Sequence, residues 1–413
     1  MTASMSPAAM SSALRNFLPI GGWAGDRAPA RAATSKRDLR LDFFRGLSLL
    51  FIFIDHIPNN FLSNVTLHSI AFSDAAEVFV FISGYAAALA YGRVLKDDGL
   101  GVAAAHIYHR VWQLYVAHIF IFAVFAAFVS YSIAVVDDPT YTQSFNISQF
   151  LDDPPAAIAQ VLILRFQPQF LNILPLYIVL LGCFPLVLVA IARHPLYALI
   201  PSGVLYGLTN AMGWQLPGYP DGATWFFNPL AWQFMFVIGA VVGYSKVRGV
   251  AWVPKSRWLV RAAMTFAAVI AVVSASWVIQ SNFTDEPDFL FRLLAPYVGD
   301  KTNLDPLRLA SFLALAFTTA HLVSPDGALL ATRPGRWLIA CGQNSLHIFC
   351  FGILLSVLGQ YVLTSYDDGL ATQALVDVAG AVAMIGLALL LAWDKAAARA
   401  PRMREAAAPA ASS

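Results

Sequence analysis

"LDFFRGLSLLFIFIDHIPNNF", residues 41–61, has the length and apolar content of a membrane-spanning helix, yet it carries Asp42, Arg45, Asp55 and His56. An ionisable group at mid-bilayer costs ~2.5–3.5 kcal/mol on insertion scales, and such groups usually have a function. The stretch therefore predicts a spanning helix that also forms part of a site within the membrane.

The composition of the whole chain is that of an all-α polytopic membrane protein. Of its 413 residues, 58% are hydrophobic and only 12% are charged, and the mean hydropathy is +0.64. Ordinary soluble domains are about 25% charged. The alternating pattern of an outer-membrane barrel does not occur. The three cysteines lie in apolar segments without metal-ligand spacing, so no metal site is predicted.

Ten segments are predicted to be transmembrane helices. They are residues 41–61, 69–91, 108–134, 171–192, 196–213, 224–244, 258–280, 306–323, 336–361 and 370–393. Residues 1–37 and 395–413, rich in small residues, are predicted to be disordered cytoplasmic tails. The predicted membrane domain spans residues 38–394.

Charge is distributed asymmetrically between alternate loops. With the N-terminus in the cytoplasm, every cytoplasmic segment is basic, from Lys36 and Arg37 before the first span to Arg402 and Arg404 after the last. The opposite loops are acidic. Because Lys and Arg concentrate in cytoplasmic loops, the pattern predicts ten spans with both termini in the cytoplasm.

Arg45 and His56 are eleven residues apart, so on an α-helix they project from one face about 16 Å from each other. This separation is comparable to a pantetheine arm. An arginine suits phosphate, and a histidine suits proton transfer near neutral pH. The first helix could thus hold a coenzyme A phosphate at its inner end and present a thioester to the imidazole near its outer end. Snorkelling of Arg45 to the headgroups, with Asp42 for charge balance, is the alternative.

Asp55 is the chain neighbour of His56, and adjacent residues on a straight helix do not face each other. Pro58 cannot donate a hydrogen bond to Ile54 and disfavours helical geometry at the residue before it. The helix could therefore loosen and let Asp55 orient His56. Pairing of Asp55 with another helix is the competing expectation.

The first two spans together resemble the transmembrane acyltransferases of the acyltransferase-3-like superfamily. The resemblance rests on "LDFFRGLSLLFIFIDH" and "AEVFVFISGY", with Arg45, His56 and Glu77 at the matching positions and Ser83 and Tyr85 beside the first helix. Arg110, in "HIYHRVWQLY", resembles the third-helix arginine of that superfamily. The resemblance implies that these residues other than His56 bind acyl-CoA; lipid anchoring is the alternative for Arg110.

Three further stretches, "QPQFLNILPLYIVLL", "WFFNPLAWQFMFVIG" and "CGQNSLHIFCFGI", resemble the OpgC family of osmoregulated periplasmic glucan succinyltransferases. The similarity covers nearly all of residues 38–393. It implies a multi-pass protein of the bacterial inner membrane whose active site reaches the periplasmic side. The implied donor is succinyl-CoA, the acceptor is a periplasmic glucan, and no cofactor is permanently bound. His56 would be the general base and Asp55 its support, with direct transfer preferred to an acyl-histidine intermediate.

Other polar and aromatic residues are candidates for the acceptor site or the polar core. The expected glucan-binding residues are Trp225, Phe226, Asn228, Gln167 and Gln169. An interfacial aromatic belt explains Trp225 equally well, and a turn explains the glutamines. Asp42, Gln233, Asn344 and His347 are expected to support the core, with interhelical hydrogen bonding as the simplest reason for the last three.

The same residues are compatible with other functions. Intramembrane charges also suit a proton-coupled transporter, and a non-catalytic scaffold would need only to bind glucan-synthesis proteins. Within the family, the acyl group could be acetyl or the acceptor a different glycan. Nothing in the sequence indicates nucleic-acid binding.

Overall fold

The first helix, α1, begins at Leu39 and ends at Asp55, three residues before Pro58. The Ile57 N–H already donates to the carbonyl of Ile54 rather than to that of Phe53, so the last turn tightens into a 3₁₀ geometry before the proline. The computed structural model describes residues 38–136, 139–250, 252–254, 256–281 and 289–407. The whole predicted N-terminal tail, residues 1–37, and the last six residues of the predicted C-terminal tail lie outside these ranges.

After α1 the chain forms two 3₁₀ turns, Phe61–Val65 and Leu67–Ser69, and then helices only. The helices are α2 (Ala75–Val136), α3 (Pro139–Ser144), α4 (Ser148–Asp152), α5 (Pro154–Leu162), α6 (Ile173–Arg193), α7 (Leu196–Met212), α8 (Pro229–Arg248), α9 (Arg257–Ser281), α10 (Phe289–Val298), α11 (Pro306–Leu322), α12 (Ala328–Ala331), α13 (Arg333–Gln343), α14 (Ser345–Ser365) and α15 (Leu370–Ala407). No strand occurs in the part of the chain that the structure describes.

The all-α architecture is confirmed, and each predicted span overlaps a helix. Six helices are long and apolar enough to cross a membrane, namely α2, α6, α8, α9, α14 and α15. The count of ten spans and the cytoplasmic position of the termini stay predictions. Two predicted spans, 69–91 and 108–134, overlap the single helix α2, whose backbone leaves helical geometry at Gly99 with φ 85° and ψ 175°. Such a φ favours glycine, which lacks a Cβ.

Two helix pairs approach so closely that only glycine fits between their backbones. A methyl group at Gly46 of α1 would overlap the Leu338 carbonyl, and one at Gly342 of α13 would overlap the Asp42 carbonyl. Gly84 of α2 and Gly239 of α8 form the equivalent contacts in the helix pair with the most extensive packing. Small residues allow this approach between membrane helices. The first two helices are thereby held against α13 and α8.

The last helix extends to Ala407, past Lys395, where the sequence predicts a disordered tail. The segment is rich in alanine, the best helix former. Lys395 also belongs to the fold, because its Nζ donates to Asn344 Oδ1 at 2.6 Å.

Candidate active site

His56 follows the last residue of α1 and is held by the carbonyl of Ile52. Its ring Nδ1 lies 2.5 Å from that oxygen, and its backbone N–H donates to the same oxygen at 3.1 Å. A carbonyl can only accept, so Nδ1 carries the hydrogen. In the neutral ring Nε2 is therefore an acceptor, which is the state a general base requires.

Phe170 packs edge-on against the His56 ring, with the ring centroids 4.5 Å apart and an interplanar angle of 83°. This buried phenylalanine has φ 73°, a left-handed conformation that is uncommon for a bulky side chain. The strain is maintained by its surroundings, including the neighbouring Gln169 N–H, which donates to the Phe145 carbonyl. The wall against the imidazole is therefore fixed by tertiary packing.

Asp55 does not form the expected hydrogen bond with His56. Its Oδ1 instead accepts from Thr66 Oγ1 at 2.7 Å and lies 3.4 Å from His68 Nδ1. Thr66 Oγ1 also contacts His68 Nδ1 at 2.9 Å. The helix stays regular through Asp55, so the two neighbours point apart as adjacent helical residues do. Asp55 thus orients His68, and its hydrogen bond raises the pKa of His68 above the ordinary value.

Four charged side chains form a cluster, defined by Asp74, Glu77, Lys301 and Arg308, between α2 and α11. Glu77 Oε1 accepts from Arg308 Nη2 at 2.7 Å and from Nε at 3.0 Å. Asp74 Oδ2 lies 2.5 Å from Lys301 Nζ and 3.4 Å from Arg308 Nη2. Two carboxylates and two cations balance, so the buried cluster has no net charge.

A capping box places the two carboxylates of this cluster. Asp74 Oδ1 accepts from the Ala76 N–H, and Glu77 Oε2 accepts from the Asp74 N–H, which satisfies donors at the start of α2. The charged cluster lies beside His56, because Lys301 and Asp74 both act electrostatically on that ring. Lys301 also extends over the rings of Phe226 and Phe227, at 5.8 and 5.5 Å from their centroids.

The other end of α1 carries Arg45, whose Nη2 donates to the Ile82 carbonyl of α2 at 3.2 Å. The helix expected between Arg45 and His56 is present, and it separates the two residues by about 16 Å along its axis. Basic side chains also gather around His347, on which the charges of Lys395 and Arg110 act. Arg110 further donates to Gln113 at 3.3 Å.

A family model described as "OpgC protein" matches residues 37–396, most of the chain. The chain belongs to the OpgC family. No curated protein and no solved structure matches it. Membership of the OpgC family implies a transferase and suggests a glucan succinyltransferase role, in agreement with the resemblance found in the sequence motifs. The matched region nearly coincides with the predicted membrane domain, residues 38–394.

The aromatic segment predicted to bind glucan in this OpgC protein divides between core and surface. Trp225 is buried, whereas Phe226 is exposed and lies under Lys301. Asn228 is buried at the start of α8, where it caps Leu230 N–H and donates to Asn303 Oδ1 at 2.8 Å. A structural cap accounts for Asn228, so Phe226 is the residue of this segment available to a ligand.

The two glutamines of the "RFQPQF" segment differ in their surroundings. Gln167 donates to the Leu164 carbonyl, and its buried Oε1 has no hydrogen-bond partner among the residues described. The amide oxygen of Asn172, two residues beyond Phe170, is also buried and has no hydrogen-bond partner among the described residues. Gln169 is exposed. Gln167 and Asn172 are therefore two acceptors that a hydroxyl group could satisfy.

The remaining predicted residues lie in helix contacts. Ser83 and Tyr85 are buried within α2, beside the close contact of α2 with α8. The polar-core candidates pair as follows: Gln343 donates to Asp42 at 3.4 Å, Gln233 lies 2.5 Å from Ser202, and Asn344 accepts from Lys395. Interhelical hydrogen bonding accounts for these three. Their contacts tie the helices around the site.

Sequence reasoning missed His68, Lys301 and the pairing of Arg308 with Glu77. The motif "SDAAE", residues 73–77, is a capping signature that could have identified Asp74. No comparable signal existed for Lys301, because its partners come from a distant part of the chain. Within the described ranges, no group of three or more His, Cys, Asp or Glu side chains could hold a metal ion.

Proposed function

We propose that this OpgC-family protein transfers succinyl groups from cytoplasmic succinyl-CoA to hydroxyls of a periplasmic glucan, across the inner membrane. The observation that carries the proposal is the state of His56. Its Nδ1–H is committed to the Ile52 carbonyl, so Nε2 is left to accept a proton at one end of a helix that carries Arg45 near its other end.

The proposed chemistry is a direct acyl transfer. A glucan hydroxyl gives its proton to His56 Nε2 while its oxygen attacks the thioester carbonyl. The tetrahedral intermediate then collapses, the C–S bond breaks, and the coenzyme A thiolate takes the proton from the His56 imidazolium. A succinyl ester and free coenzyme A result. Ile52 holds the ring in one tautomer through both proton transfers, and Phe170 restricts its rotation.

Two features of the surroundings support this chemistry. Asp55 stabilises positive charge near the site through Thr66 and His68 rather than by direct contact with His56. The charged cluster beside His56 has no net charge. It supplies fixed dipoles without holding the imidazole in its protonated form. Both features keep His56 available as a base.

At the donor end, we assign the phosphates of coenzyme A to Arg45 together with the basic group of Arg110, His347 and Lys395. Arginine forms bidentate hydrogen bonds to phosphate oxygens. With the phosphates at this end, a pantetheine arm of the length of α1 would bring the thioester to His56.

The general base is tested with labelled succinyl-CoA and glucan, using protein in lipid nanodiscs so that both faces are accessible. His56→Ala should lower succinyl transfer by ~10²–10⁴-fold, the usual contribution of a general base. His106→Ala, at an exposed position of α2, is the matched control and should leave transfer unchanged. Full transfer by His56→Ala would refute the mechanism.

The donor site is tested separately with a non-hydrolysable succinyl-CoA analogue. Arg45→Ala should weaken its binding, whereas His56→Ala should bind it normally. Normal binding by the Arg45 variant would remove the phosphate assignment and leave the base assignment intact.

A further inference from the structure

A pocket lies where the 3₁₀ turns meet α9, α10 and α11, and His68, the partner of Asp55, lines it. Its volume is about 240 Å3. The residues that matter for its chemistry are His68, Phe72, Ser73, Ser274, Trp277 and Arg308. This pocket is smaller than the ~300–1,000 Å3 typical of sites for drug-sized ligands, so it suits one small ring and not a coenzyme A arm.

Ser73 is the clearest indication of a ligand. The residue is 1% exposed, and its Oγ has no hydrogen-bond partner among the described residues. Buried hydroxyl groups are normally paired, and each exception needs an explanation. A ligand hydroxyl in the pocket would give Ser73 the partner that the protein does not supply.

Arg308 and His68 add hydrogen-bonding groups to the same walls. Arg308 uses Nε and Nη2 for Glu77 and Asp74, and its Nη1 makes no hydrogen bond to any residue in the described ranges. His68 directs Nδ1 to Asp55 and Thr66, which leaves Nε2 for the pocket. The pocket thus offers both donors and acceptors.

The electrostatics favour a neutral ligand over an anion. Arg308 and Lys301 are balanced by Glu77 and Asp74, so the pocket provides N–H groups without net positive charge. A carboxylate or phosphate would find no uncompensated cation in this cluster.

The apolar wall favours a ring that has an apolar face. Trp277 stacks on Phe72 with the ring centroids 5.2 Å apart and an interplanar angle of 14°. Aromatic faces combined with a few convergent polar groups are typical of small-molecule sites, and this combination suits the C–H face and the hydroxyls of a sugar.

We propose that this pocket binds one neutral hexose unit of the acceptor glycan, next to the unit that is acylated at His56. The proposal rests on the proposed function for its link to acyl transfer. Asp55 joins the two places, since it precedes His56 in the chain and binds His68 of the pocket.

The test compares Trp277→Leu and Ser73→Ala in nanodiscs with Trp258→Leu. Trp258 is on the same helix, α9, but is 78% exposed and does not line the pocket. Initial rates are measured against glucan and against succinyl-CoA. Loss of one aromatic contact or one neutral hydrogen bond should raise the KM for glucan roughly three- to tenfold. The KM for succinyl-CoA and kcat should stay unchanged, and Trp258→Leu should behave like the wild type.

Equilibrium binding of a fluorescent oligoglucan separates the two proposals. If the wild type binds the oligoglucan but transfers no succinyl group, the proposed function fails. In that case the hexose site is still supported if both pocket variants bind the oligoglucan more weakly than the wild type does. If both pocket variants keep the wild-type glucan KM and affinity, the hexose site is refuted. A rise in the KM for succinyl-CoA alone would place the donor in the pocket and would also refute it. Ser73→Ala removes a single atom, so it gives a result even if Trp277→Leu does not fold.

Discussion

Glu77→Ala should destabilise the protein strongly, because Glu77 is the main partner of a buried arginine. The Glu77 side chain is 0% exposed and that of Arg308 is 13% exposed. Two hydrogen bonds join them, at 2.7 and 3.0 Å. After the substitution, Asp74 is the one carboxylate that Arg308 contacts within 4 Å among the described residues, at 3.4 Å and shared with Lys301, and the four-residue cluster is left with a net positive charge.

The size of the expected destabilisation follows from a general property of buried ion pairs: removing one partner costs far more than removing both. Removing one partner of such a pair costs about 3–5 kcal/mol, whereas replacing both by apolar residues of similar volume is often close to neutral. Arg308→Met should cost a similar amount, since it leaves Glu77 as an uncompensated anion. The double variant Glu77→Leu/Arg308→Met leaves Asp74 and Lys301 balanced. The double variant should therefore lose less free energy of unfolding than the two single variants lose together, by at least ~2 kcal/mol.

The assay is the free energy of unfolding in mixed micelles, followed by tryptophan fluorescence as the fraction of SDS is raised. Asp97→Ala removes an exposed carboxylate of α2 and is the matched control, with an expected change within about 0.5 kcal/mol. Strictly additive losses in the double variant would show that Glu77 and Arg308 act independently, and the interpretation of the cluster as a coupled pair would be wrong.

Two further predictions concern the helix contact and the pH response. Gly342→Ala places a methyl group against the Asp42 carbonyl, and this overpacking should lower the free energy of unfolding by ~1–3 kcal/mol. In the control Gly182→Ala the methyl group meets no atom within 4 Å, so higher helix propensity should raise the free energy of unfolding by up to about 1 kcal/mol. Equal midpoints of unfolding for the two variants would contradict the close packing. Asp55 raises the pKa of His68, so the stabilisation from protonated His68 should be complete below its ordinary pKa of about 6.5 and lost as the pH rises through the raised value. Asp55→Asn should flatten the dependence of Tm on pH in that window, and an unchanged slope would exclude this pair as its source.

How far the site could be predicted depended on whether its parts lie on one helix. Arg45 and His56 belong to a single regular helix, so 100° per residue and 1.5 Å per residue suffice to relate them. The same rule explains why the predicted hydrogen bond between Asp55 and His56 does not form. Pro58 tightens only the turn after Asp55, and the carboxylate turns to Thr66 and His68 instead.

By itself, the sequence determined that the chain is a helical membrane protein, where its apolar segments lie, and which family its motifs match. These properties depend on hydropathy, helical period and local residue order, all of which can be read along the chain. Only the tertiary structure decided that Glu77 pairs with Arg308, that Lys301 lies near His56, and that Phe170 is held in a left-handed conformation against the imidazole. These contacts join residues separated by more than a hundred positions, and a buried charge takes whichever partner the packing of the helices brings within reach.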